Sequence, residues 1–290
     1  MVCAAIGAFL LFGCNGLPAV PSLFATNTPT VTATSTPTST PTVVPTKTPI
    51  PTSTATPLPT WVTGFVQPIL SAIADKPPTY QDDFSNPNSG WGSGRHTVQQ
   101  TGWYSGEYGY QSGEYFIVAD PAIAHPPDSN KVTCNIEGGY PSPTSSDFVI
   151  EIEGRVVSGD NGVWQIHFRK SGQRIDAGGW VTASNYSIFR GTVGNITIVR
   201  NDNRNMTNLP LQTNAEVPLA HFTDTDHLQI IAKGPQFAIL LNGVPVTFTE
   251  DPNSQWFKKG ILEMEVCNLG EESLRVQFDN LKIWDISDLP

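Results

Sequence analysis

The sequence predicts an all-β fold, an antiparallel sandwich of two sheets, and three observations predict it. Beyond position 80 of the 290 residues the apolar residues recur with period two. Turn signals such as Asn242-Gly243 separate the apolar runs at spacings of about 8 to 12 residues. No segment shows a convincing amphipathic-helix pattern.

Taken from the start, Val2 to Phe12 is almost wholly apolar. A run of about 12 apolar residues is shorter than the roughly 20 needed to cross a bilayer, but it suits the apolar region of an export signal. Residues 1–14 are therefore read as a signal segment ending in Leu11-Phe12-Gly13-Cys14. Residues 15–79 are read as a linker. Within it, Thr26 to Thr60 alternates Thr with Pro, as in Thr36-Pro37-Thr38 and Thr48-Pro49-Ile50-Pro51-Thr52. Such a tract has too little apolar surface to offset its ordering entropy and is expected to be an extended spacer, at about 3.1 Å per residue. The apolar stretch Trp61 to Ala74, interrupted by Gly64 and Pro68, is expected to be a loosely docked linker end; a short helix packed on the domain, or a membrane-surface contact, is the alternative.

Residues 80–290 are the expected folded domain. Phe148, Ile150, Ile152 and Val156 alternate with Val149, Glu151, Glu153 and Arg155, and Trp164, Ile166 and Phe168 alternate with Gln165, His167 and Arg169. Strands are expected again at 185–190, 195–200, 227–233, 236–241, 244–249, 261–267 and 274–284. Asn242-Gly243 between two such runs is the residue pair a type I′ hairpin prefers, because both positions need positive φ. Lys233-Gly234-Pro235 marks the turn before it, which makes three strands a meander. Cys134 and Cys267, the only cysteines of this domain, are either a disulfide across more than a hundred residues or two buried thiols.

Composition narrows the partners. With 16 Lys and Arg against 26 Asp and Glu, the net charge is -10, and clustered cations for phosphate neutralisation are missing; a nucleic-acid partner is not expected. No P-loop, dinucleotide fingerprint, HExxH or Ser-His-Asp order is present, and no cofactor is expected.

A set of short motifs occurs in order: Asp82-Asp83-Phe84-Ser85, Ser89-Gly90-Trp91, Gly113-Glu114-Tyr115, Asp147-Phe148-Val149, His167-Phe168-Arg169, Asn185-Tyr186-Ser187, Leu241-Asn242-Gly243 and Phe278-Asp279-Asn280-Leu281-Lys282-Ile283-Trp284. In this order they resemble the concanavalin A-like (laminin-G-like) jelly rolls of bacterial surface lipoproteins, including those called 3-keto-disaccharide hydrolase domains. The resemblance implies a jelly roll with one concave face, first and last strands lying together, and a polysaccharide or oligosaccharide ligand. Leu11-Phe12-Gly13-Cys14 similarly resembles a lipobox, which implies lipidation of Cys14 and a membrane anchor at the cell surface; a cleaved signal beside a bystander cysteine is the alternative.

For site chemistry, the expected ligand-binding groups are Trp180 as a stacking platform, with Glu151, Glu153, His167, Arg169 and Glu263 as hydrogen-bonding side chains. Glutamates at i and i+2 of a strand lie about 6.6 Å apart, a separation compatible with paired glycosidase carboxylates. A glycoside hydrolase acting on 3-keto-disaccharides, using Glu151 or Glu153 with His167 as acid and base, is therefore the enzymatic alternative, and a protein-binding adhesion module is a third. Laminarinase-like hydrolases of this architecture carry E-x-D-x-x-E or E-x-D-x-E, whereas Glu151-Ile152-Glu153-Gly154-Arg155 lacks the third acid. If the first and last strands pair, Asp82, Asp83 and Asp279 are candidate Ca²⁺ ligands, with turn hydrogen bonding as the alternative. Trp164 and Trp284 are expected in the core; Trp91, Trp103, Tyr104 and Trp256 fall in Gly-rich or polar stretches where binding residues concentrate.

Overall fold

In the computed structural model the described residues are 57–97, 104–124, 131–138, 146–174, 180–192, 194–202, 207–216, 224–253 and 259–290. Cys14, the Thr/Pro tract, Trp103 and Trp256 lie outside them. A π-helical turn, Val62–Val66, leads into α1 (Gln67–Ile73). The strands follow as β1 (Tyr80–Asp82), β2 (Gly94–His96), β3 (Gly106–Gln111), β4 (Glu114–Ala119), β5 (Ile123–Ala124), β6 (Lys131–Gly138), β7 (Phe148–Ser158) and β8 (Gly162–Arg174). After these come β9 (Trp180–Gly191), β10 (Asn195–Asp202), β11 (Thr207–Glu216), β12 (Asp226–Lys233), β13 (Gln236–Leu241), β14 (Val244–Glu250), β15 (Ile261–Asn268) and β16 (Leu274–Asp285).

Two antiparallel sheets result. The nine-stranded sheet runs β14-β13-β12-β7-β16-β4-β3-β2 with β1 as its ninth strand paired to β16 off this path, and the seven-stranded sheet runs β11-β10-β9-β8-β15-β6-β5. β16 is long enough to carry β4 along Leu274–Phe278 and β1 along Leu281–Ile283, so the first and last strands do pair. The period-two pattern is what sorts residues between layers. Phe148, Ile150, Ile152 and Val156 of β7 share one buried core with Trp164, Ile166 and Phe168 of β8. Gly154 interrupts the β7 row because a Cβ there would lie 2.9 Å from Trp164 Cζ2. The β12–β13–β14 meander forms as expected, and Asn242 (φ 52°) and Gly243 (φ 75°) take the two left-handed positions of its hairpin.

The front boundary is earlier than the sequence suggests. Val62, Val66, Ile69 and Ile73 are buried against Val149, Ile231, Ala238, Leu240 and Ile286, on the outer side of the nine-stranded sheet. The segment expected to end a linker is thus a helix belonging to the domain. Its spacing, i, i+4, i+7 and i+11, is that of one helical face. Pro68 sits at the first turn of α1, directly after the π turn, where its lack of an N–H is tolerated. Trp284 packs against this second cluster, and its Nε1 donates to Lys76 O at 2.9 Å.

Candidate functional site on the seven-stranded sheet

Four strands build a polar network on the outer side of the seven-stranded sheet. On β8 the core-facing Trp164, Ile166 and Phe168 leave Gln165 and His167 on the opposite side. On β15 Leu262, Met264 and Val266 face the core, which sends Glu263 and Glu265 outward, and Glu263 stands across from His167 in the β8–β15 register. β9 adds Asn185 and Ser187 between the core residues Tyr186 and Ile188, and β10 adds Asn201.

The contacts are short and continuous. His167 Nε2 lies 2.5 Å from Glu265 Oε2, and His167 Nδ1 lies 2.7 Å from Ser187 Oγ. Asn185 Nδ2 is 2.9 Å from His167 Nδ1 and 2.7 Å from Ser187 Oγ, while Asn201 Nδ2 donates to Ser187 Oγ at 2.7 Å. Lys170 Nζ donates to Glu263 Oε2. Gln165 Nε2 contacts Cys267 Sγ at 3.2 Å. Cys134 and Cys267 are disulfide-bonded directly across the β6–β15 ladder, beside Glu265. Tyr104, bridged to Cys134, borders the same carboxylates: burial first, then the charges of Glu265 and Glu263, push its phenol well above the ordinary tyrosine value. All of Gln165, His167, Lys170, Asn185, Ser187, Glu263 and Glu265 are buried.

The expected ligand-binding residues are divided by this architecture. His167 and Glu263 belong to the network. Glu151 and Glu153 do not: they project from β7 on the outer side of the nine-stranded sheet, where Gln229 Nε2 donates to Glu151 Oε1 at 2.7 Å and Asn280 Nδ2 to Glu153 Oε2 at 3.1 Å. An acid–base partnership of either glutamate with His167 is excluded, because two sheets and the core separate them. Arg169 is also displaced. A break in register between Phe168 and Ser171, with Arg169 at φ 50°, turns its side chain inward. Its guanidinium donates to Ser146 O (2.7 Å) and Gly234 O (2.9 Å) and lies 5.2 Å from the Phe237 ring centroid. Burial lowers its pKa from the ordinary arginine value, partly offset by Tyr186, Asp147 and Asp251. Lys170 takes the outward place instead. Trp180 opens β9 opposite Arg174, and its side chain lies outside the description. Trp91 is buried with Phe84 and Tyr115 rather than exposed for binding.

Lys170 and Asn201 are missing from the sequence expectation; Glu265 figures there only as sharing a strand face with Glu263, and Asn185 and Ser187 only as part of the Asn185-Tyr186-Ser187 motif. The signal for Glu265 was present: it stands at i+2 from Glu263 on a strand of alternating pattern. The acids expected as Ca²⁺ ligands make the turn hydrogen bonds that were the alternative. Asp82 Oδ1 accepts from Phe84 N (2.8 Å), Asp83 Oδ1 from Ser85 N and Oγ (3.0 and 2.7 Å), and Asp279 Oδ1 from Asn280 N (2.7 Å). These acids shape turns beside a cleft of about 400 Å³ lined by Tyr80, Asp82, Asp83, Asn280 and Lys282. Among the described residues the one His/Cys/Asp/Glu trio with ligand atoms within 4.8 Å is Cys134, Glu265 and Cys267, and its sulfurs are spent in the disulfide.

Solved structures share this architecture. The catalytic domain of an endo-1,3-beta-glucanase (laminarinase) from Thermotoga petrophila superposes with a TM-score of 0.50 at 11% identity, over 71% of this chain and 96% of that one. A Bacteroides ovatus GH16 protein of a mixed linkage glucan locus gives 0.50 at 12% identity, over 70% and 99%. The fold is a concanavalin A-like β-sandwich. The carbohydrate binding module CBM66 from Bacillus subtilis is similar at 18% identity over 68% and 96%, with a TM-score of 0.41. No family model and no curated protein matches the chain.

Proposed function

We propose that this protein is an exported carbohydrate-binding module whose ligand lies on the outer face of the seven-stranded sheet, over Glu263, Glu265, His167 and Lys170. One observation carries the reading. A two-layer sandwich buries apolar side chains between its sheets and has no structural need to bury two carboxylates, an ammonium and an imidazole on an outer face. Burying such groups is costly unless each is hydrogen-bonded, as these are. Fixed acceptors and donors at close spacing are what saccharide hydroxyls require. Two proteins of the same fold are named for glucan chemistry, so β-glucan oligosaccharides are the first ligands to test.

Surface display is part of the proposal. It rests on the lipobox-like Cys14 and the Thr/Pro stalk, both outside the described residues, and the Cys134–Cys267 bridge suits an oxidising compartment.

A second reading is favoured by Glu263 and Glu265, which replace Glu151 and Glu153 as the i, i+2 pair at a spacing of about 6.6 Å, a distance glycosidase carboxylates use. Calorimetry with a glucan panel tests both. His167→Ala and Glu265→Gln are expected to weaken binding at least tenfold, whereas Glu151→Gln leaves it unchanged. Binding lost with Glu151→Gln and kept with Glu265→Gln would place the ligand on the other sheet. Release of reducing sugar that Glu263→Gln or Glu265→Gln abolishes would establish the hydrolase.

A further inference from the structure

The hydrogen bonds of this face fix where the imidazole proton sits, and with it the charge a ligand meets. Asn185 Nδ2 lies 3.2 Å from Tyr186 O, an atom that only accepts, so this end of the amide is the amino group. The same nitrogen faces His167 Nδ1 at 2.9 Å. Ser187 Oγ receives amide N–H groups from Asn185 and Asn201, both at 2.7 Å, which fills its lone pairs and leaves its own O–H to donate to His167 Nδ1 at 2.7 Å. A proton on Nδ1 would point at donors. The ring proton therefore belongs on Nε2, where it is donated to Glu265 Oε2.

The charges around that ring can then be counted by strand, among the described residues. β15 supplies the carboxylates of Glu263 and Glu265; β8 supplies the Lys170 ammonium, already held by Glu263, with Gln165 neutral. β9 and β10 supply only Asn185, Ser187 and Asn201, and Tyr104 stays a neutral phenol. Two carboxylates stand against one ammonium, and Glu265 has neutral donors alone.

We infer that this face selects saccharides that present hydroxyl or ammonium groups and rejects uronates and sulfated glycans. The inference rests on the reading of the face as the saccharide site and adds the charge class of the ligand. Asn185, Ser187 and Asn201 act as positioning residues: they touch no ligand but hold His167 as a donor, so that Glu265 remains an uncompensated acceptor. An anionic sugar beside it meets a like charge in a poorly solvated setting, where repulsion is strong.

The test uses the whole chain and three probes of equal length at pH 7 and low salt: a neutral β-glucan oligosaccharide, a chitosan oligosaccharide and an oligogalacturonate. The first two are expected to bind, the third at least tenfold more weakly, with the gap narrowing in high salt and in Glu265→Gln. Galacturonate binding equal to the neutral glucan overturns the charge selection while leaving the saccharide reading intact; binding of none of the probes overturns both. The proton assignment has its own readout, the ¹⁵N shifts of His167 in the native chain without ligand. A protonated Nε2 with a bare Nδ1 is the expected pattern, and Asn185→Asp, which offers Nδ1 an acceptor, is expected to place a proton on Nδ1. A native ring that carries a proton on Nδ1 would overturn the lock.

Discussion

At the scale of single residues, β8 shows how one inserted position redistributes chemistry. Strict alternation from Gln165 and His167 sends Arg169 outward; the bulge sends it into the aromatic end of the core and delivers Lys170 to Glu263. Both charges are buried, so each depends on its partner. Lys170→Met is expected to cost about 3 to 5 kcal/mol, because it removes the buried ammonium that Lys170 donates to Glu263, and Lys170→Met combined with Glu263→Leu is expected to recover most of that loss in a denaturant midpoint. A double variant as unstable as the single one would show that the pair contributes through something other than charge compensation. Periodicity could place His167 and Glu263 on an outer face, since it depends only on local sequence. It could not announce the bulge, which arises where β8 must match β9 and β15 at once.

At the scale of elements, the helix and the last strand extend what the sequence made legible. The strands from 148 onward follow from alternation, whereas β1 to β5 are short or interrupted by Gly and escaped it, although Ser112 (φ 57°) and Gly113 (φ 85°) form a turn of the same kind as Asn242-Gly243. The π turn and α1 were obscured by Gly64 and Pro68, which lower local propensity but are outweighed by burial of four apolar side chains on Val149, Ile231, Ala238 and Leu240. Ile69→Ala is accordingly expected to destabilise the domain by about 2 to 5 kcal/mol in chemical denaturation, a loss that a loosely tethered linker end would not produce. The register shift of β16 against β7 between Asp279 and Lys282 carries a pH signature. Burial first, and then Glu153, Glu114 and Asp83, push the Asp279 carboxyl above its ordinary 3.8, against an opposing hydrogen bond from Asn280 N–H. The folded state thus holds this proton more tightly than the unfolded chain. Its contribution is fully present below pH 3.8 and is lost as pH rises through the raised value. Asp279→Asn is expected to raise the melting temperature at pH 7, with the difference vanishing in acid; an equal shift at both pH values would contradict the assignment.

At the scale of the whole molecule, the sandwich separates two polar surfaces that look alike in sequence. Glu151-x-Glu153 and Glu263-x-Glu265 have the same spacing and the same strand context, yet one pair lies beside the docked helix on the nine-stranded sheet and the other joins the network across β10, β9, β8 and β15. Sheet membership is decided by long-range pairing, so no local pattern distinguishes them. The disulfide between β6 and β15 closes a separation of 133 residues beside the second pair, a constraint worth about 5 kcal/mol in the chain-entropy model, and it ties the floor of the proposed site into the sheet. The most direct test of the account is amide and side-chain NMR shift mapping during titration with a β-glucan oligosaccharide. The predicted result is that perturbations centre on Glu263, Glu265, His167 and Lys170; perturbations centred on Glu151, Glu153 and Gln229, with the seven-stranded sheet silent, would contradict it.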